Sequence, residues 1–126
     1  MAVVTVLEQE ESIRLNPDRL TELYVELGEA GAEDMIGRAM EELAVKLEGI
    51  RALADSGPTA ALPSAAQEIA ELALSVGLSG LSRVALDVEY CASLNDGPGV
   101  AATLARLGRV GDRSLTAVWD LRDMSV

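Results

Sequence analysis

Residues 32–55 read AEDMIGRAMEELAVKLEGIRALAD, and Ile36, Met40, Leu43, Leu47, Ile50 and Ala54 recur in them at spacings of four, three, four, three and four. An α-helix returns to the same face every three to four residues, so this spacing predicts a narrow apolar seam on a helix that packs against other helices. Ser56-Gly57-Pro58 follows at once and ends the helix, since proline has no amide hydrogen to continue it.

Similar patterns flank this stretch on both sides. Asn16-Pro17 places an N-cap before a proline at the first helical position, and the helix it opens runs through Leu20, Leu23, Tyr24 and Leu27 to Gly28. A third helix is expected over about 62–76, with Leu62, Ala65, Ile69, Leu72 and Val76 inward and Gly77 at its end. A fourth covers about 79–93, with Leu81, Val84, Ala85, Val88 and Cys91 inward. The turn Asn95-Asp96-Gly97-Pro98-Gly99 introduces the last, about 100–121, which uses Val100, Leu104, Leu107, Leu115 and Val118. Gly108 and Gly111-Asp112 are expected to loosen or break it midway. Long helices with short connections give an all-α, antiparallel up-down four-helix bundle with an additional N-terminal helix. Residues 1–15 are read as a lead that packs back on the bundle, and residues 16–126 as the bundle itself.

Composition agrees and narrows the chemistry. The chain has 126 residues, 49% of them hydrophobic, with no Phe and one Trp. That suits one domain built on aliphatic side chains. Its 21 acidic residues against 10 basic ones give a net charge of −11, which opposes binding to nucleic acid or an anionic membrane surface. There is no histidine, and Cys91 is the sole cysteine, so no imidazole base, Cys-His pair, disulfide or ordinary zinc site can be assembled. Neither a cofactor nor a metal is expected, and no enzymatic constellation is apparent. Glu8 to Glu11 and Glu41-Glu42 read as solvated acid, and Cys91 as a small core residue. Met1–Leu7 lacks a basic region ahead of its apolar run, and no stretch reaches the roughly 20 apolar residues that span a bilayer. A cytoplasmic protein is the expectation.

The stretch from Ser64 to Glu89 contains Gly77-Leu78, Leu81-Ser82, Val84-Ala85 and Val88-Glu89. In this it resembles the histidine-phosphotransfer (HPt) family of bacterial phosphorelays, whose signature closes in the same way. Asn16-Pro17-Asp18-Arg19-Leu20 and Leu27-Gly28 are similar to that family's opening helix. The family carries a phosphorylatable histidine with lysine three residues on and glycine four residues on. Counting back from Gly77, those places fall to Gln67, Ala70 and Glu71. Glutamine cannot form the phosphoramidate that imidazole forms, so the resemblance implies an HPt-like protein that binds without accepting phosphate. The partner it implies is a response-regulator receiver domain or a histidine kinase, met as adaptor or competitor. Helical spacing sets Gln67 about 200° from Ile69, on the side away from the core. Ser64, Gln67, Ala70, Glu71, Leu74 and Leu78 are the expected partner-binding residues, with Leu74 and Leu78 as the apolar lower half of an exposed stripe. Two other classes compete with this reading. One is a structural helical-bundle dimerisation module with no phosphorelay partner. The other is phosphorylation on a carboxylate such as Asp87 or Asp112.

Overall fold

The computed structural model describes residues 13–56 and 60–124, with side chains described as far as residue 120. Four helices fill it: α1 (Pro17–Asp55), α2 (Leu62–Ser75), α3 (Ser79–Ser93) and α4 (Gly97–Met124). Each helix packs on its neighbour in the chain, and α1 also meets α4. Connections this short between helices in contact make successive helices antiparallel. The architecture is therefore an all-helical bundle whose chain goes up and down once per helix pair.

The predicted seam forms the core of α1. Ile36, Met40, Leu43, Leu47 and Ile50 are buried, and Ala54 is partly so. Asn16 caps α1 as its sequence suggests, its side-chain oxygen accepting from the Asp18 amide with Pro17 behind it. The expected break falls at Gly28, whose φ of 74° and ψ of 171° are not helical. It divides α1 into two helical limbs that meet at a kink. Of the first limb's apolar residues only Leu23 is buried, while Tyr24 and Leu27 are exposed.

Two left-handed residues make the sharp corners. Gly77, with φ of 78°, ends α2: its amide donates to the Leu74 carbonyl and the Leu78 amide to the Ala73 carbonyl. Asn95, with φ of 54°, repeats the pattern at the end of α3, where the Asn95 amide donates to Ala92 and the Asp96 amide to Cys91. Both are Schellman motifs, which satisfy carbonyls that a helix end would otherwise leave bare. Asp96 then caps α4 through the Gly99 amide at 3.0 Å, so the last helix starts at Gly97, earlier than its apolar pattern suggests.

The Gly77 corner also holds the start of α1. The Asn16 amide donates to the Gly77 carbonyl at 2.7 Å, Leu15 and Leu78 form an isolated antiparallel bridge, and Arg19 Nε donates to the Ser75 carbonyl at 3.0 Å. Ser79 Oγ donates to the Arg14 carbonyl. Arg14 and Leu15 of the expected lead thus meet the bundle at this corner, and residues 1–12 lie outside the described part.

Two expectations need correction. α4 continues without interruption through Gly108 and Gly111. These glycines face α1: a Cβ on Gly111 would stand 2.8 Å from Leu47 Cδ1, and one on Gly108 would stand 3.0 Å from Arg51 Nη2. They serve close helix approach rather than a break. The inner face of α2 is also turned from the expected one, with Ala66, Ala70 and Ala73 fully buried while Ala65 and Leu72 are partly covered.

Glycine's several roles can be separated by substitution. Gly77→Ala forces a β-carbon into the left-handed region and to within 2.9 Å of the Asn16 carbonyl oxygen, and is expected to cost on the order of 2 kcal/mol in urea unfolding. Gly49 has open space around it within α1, so Gly49→Ala is expected to stabilise by about 0.5–1 kcal/mol. Gly111→Val is expected to cost about 1–3 kcal/mol by overpacking Leu47. In a Leu47→Ala background that cost should shrink, giving a coupling energy in a double-mutant cycle.

Candidate functional site

The outer face of α2 is where the sequence places partner binding, and it is solvent-facing over most of its length. Ser64, Gln67 and Glu71 are exposed, and Leu74 keeps 57% of its surface open. One turn separates Gln67 from Glu71, and Gln67 Nε2 donates to Glu71 Oε1 at a long 3.5 Å. Glu68 lies alongside and accepts from Lys46 Nζ of α1 at 3.4 Å.

Two of the expected residues are not on this face. Ala70 is 3% exposed and belongs to the core between helices. It stands 300° round the helix from Gln67, which turns it toward a neighbouring element. Leu78 is 0% exposed. Helical periodicity carries it onto the stripe only if α2 continues, but α2 ends at Ser75 and the left-handed Gly77 reverses the chain. Leu78 then points inward, beneath the strand-like bridge from Leu15.

The first turn of α1 completes the surroundings. Asn16, Arg19, Glu71, Leu74 and Ser75 border an open depression of about 410 Å³. Arg19 thus brings a cation beside Glu71 and Leu74, held by the Ser75 carbonyl and by Glu22 Oε2 at 3.1 Å. No local pattern links residues so far apart in the chain, and only the fold shows this neighbour.

Chemically the face offers recognition. Gln67 supplies amide hydrogen bonds, Glu71 and Arg19 opposite charges, and Leu74 an apolar contact. Among the described residues no buried side-chain nitrogen or oxygen lacks a hydrogen-bond partner. No group of three or more acidic or cysteine side chains there could hold a metal ion. Asp87 is exposed on α3, and Asp112 on α4 lies 3.7 Å from Arg51, so neither sits in an acidic pocket. The Glu41-Glu42 pair is exposed on α1, and Glu8 to Glu11 lie outside the described residues. Cys91 is half-buried against Gly99 of α4. No described helix is long and apolar enough to cross a membrane. No protein-family profile, curated protein or solved structure matches the chain.

The two leucines at the lower end of the stripe should behave oppositely. Leu74→Asp is expected to leave thermal unfolding nearly unchanged, within about 0.5 kcal/mol. Leu78→Asp buries an unpaired carboxylate and removes core volume, and is expected to cost 4 kcal/mol or more, roughly the whole stability margin of a small domain. Circular dichroism melts of the two variants distinguish these outcomes.

Proposed function

We propose that the chain is a non-phosphorylatable HPt-like protein that works by binding. The partner is a response-regulator receiver domain or a histidine kinase, and the docking surface is the outer face of α2 with the adjoining turn of α1. One observation carries this reading: Leu74, 57% exposed, shares an open face with Gln67 and Glu71 on a helix whose other side is anchored in the core. A docking face uses an apolar contact ringed by polar groups, and Leu74 among Gln67, Glu71 and Arg19 offers one.

The resemblance of Asn16-Pro17, Gly77-Leu78 and Leu81-Ser82 to the HPt family supplies the partner class, and an all-helical bundle accommodates it. Gln67, at the position of the phosphorylatable histidine, provides no nucleophilic imidazole. A partner docked there meets hydrogen-bonding groups and gives up no phosphate. The chain then acts as an adaptor or competitor, holding a docking surface that an active phosphotransfer protein would use.

An amide NMR titration of the full chain with receiver domains and kinase dimerisation domains from the same genome tests this. Perturbations are expected at Ser64, Gln67, Glu71 and Leu74 and around Arg19, and Leu74→Asp should weaken binding about tenfold or more, a loss near 1.4 kcal/mol. Unperturbed spectra across the whole set, or binding indifferent to Leu74→Asp, would remove the proposal.

A further inference from the structure

A second exposed face has a different chemistry. Leu86, Tyr90 and Leu94 are spaced four residues apart, which sets them on one ridge along α3, and they are 48%, 66% and 60% exposed. The core of the bundle is served by the opposite side of the same helix, through Leu81, Val84, Ala85 and Val88. The ridge is therefore surplus to folding. Arg83 precedes it by one turn.

Arginines of α4 extend the surface beyond the Leu86 end of the ridge. Cys91 Sγ lies 3.0 Å from where a β-carbon on Gly99 would stand, which identifies the side of α4 turned toward α3. Arg106 and Arg113 follow Gly99 at steps of seven residues, two helical turns each, so they line that side, with Arg109 exposed beside them. Arg83, Arg106, Arg109 and Arg113 make no ion pair among the described residues, whereas Arg19, Arg38, Lys46 and Arg51 of α1 all do. Asp87 is the exposed carboxylate on this part of α3, and the cations outnumber it.

The complementary chemistry occurs on the first limb of α1. Leu15, Pro17, Leu20, Thr21, Tyr24 and Val25 line an open apolar groove of about 730 Å³, and Val25 is 79% exposed. Glu22 and Glu26 are exposed on the same limb.

We propose that the chain self-associates head to tail, the Leu86–Tyr90–Leu94 ridge of one copy seating in the Leu20–Tyr24–Val25 groove of another, with Arg83 and Arg106 at the Leu86 end set against Glu22 and Glu26. Both contact faces come from this one sequence: one apolar with a basic flank, the other apolar with an acidic flank. Overall the chain repels its copies, but at physiological ionic strength that repulsion is screened beyond roughly 8 Å, while the opposite charges at the contact lie closer than that. Because the two faces differ, the contact is heterologous, and a pair retains one unused ridge on one copy and one unused groove on the other. The α2 stripe takes no part, so this inference does not rest on the receiver reading.

Sedimentation velocity of the full chain from about 10 to 500 µM, the range of weak protein contacts, tests it. The mean mass is expected to rise with concentration. Tyr90→Glu/Leu94→Glu blocks the ridge and Tyr24→Arg/Val25→Arg blocks the groove, all at exposed positions. Each variant alone should remain monomeric with native helicity, and an equimolar mixture should form a one-to-one dimer and grow no further. Arg83→Glu/Arg106→Glu, which leaves the apolar ridge intact, should weaken association about tenfold or more. A wild-type chain that is monomeric throughout overturns the proposal. So does a blocked variant that associates undiminished, or a mixture that forms no dimer. Receiver binding is read in a separate titration, and its failure would leave these outcomes untouched.

Discussion

The hydrogen bond from the Asn16 amide to the Gly77 carbonyl ties the two ends of the fold's logic together. Gly77 closes α2 in a left-handed conformation, and the reversal that follows points its carbonyl at the residue that caps α1. A side chain at Gly77 would meet the Asn16 carbonyl oxygen at 2.9 Å, so glycine is needed there for space as well as for φ. Around this point Arg19 reaches the Ser75 carbonyl, and Leu15 bridges to Leu78. One corner therefore fixes where α1 starts, how α2 turns into α3, and which end of the α2 face is closed to solvent.

Small residues set the rest of the packing. α2 presents Ala66, Ala70 and Ala73 to the core, and α4 presents Gly108 and Gly111 to Leu47 and Arg51 of α1. Side chains this short let helix backbones approach closely, and the larger residues of the α1 seam fill the space between. Ion pairs at the edges, Lys46 with Glu68 and Arg51 with Asp112, span α1–α2 and α1–α4. Being largely solvated, they add little energy and do more to hold register.

How much of this could be read from the sequence depends on whether the signal was local. The α1 seam, the Asn16-Pro17 start, and the ends at Gly77 and Asn95 all arise within a few residues, and each is where its pattern puts it. Gly108 and Gly111 are ambiguous in sequence because a glycine inside a helix has two meanings, a weak point or a close approach, and only the partner helix decides between them. Ala70 and Leu78 fall on the outer stripe in sequence but not in the fold, for related reasons. Alanine gives no periodic signal of its own, and extending α2 to Leu78 ignored that its register ends with the helix. The Arg19 contact with the α2 face depends on tertiary proximity and left no trace in the pattern.

What remains is a surface sorted by charge and by helix. The described cations of α1 from Arg19 onward are paired with neighbouring carboxylates, while those of α3 and α4 stand without partners beside an apolar ridge. Folding does not require that separation, since the core is apolar and no buried described side-chain polar atom lacks a partner. An open apolar surface costs solubility unless something covers it, and flanking charge both defers that cost and selects the partner that relieves it. In an acidic chain with no imidazole, the surface is where chemical specificity is left to reside. The α2 stripe and the exposed apolar ridge of α3 occupy separate parts of it.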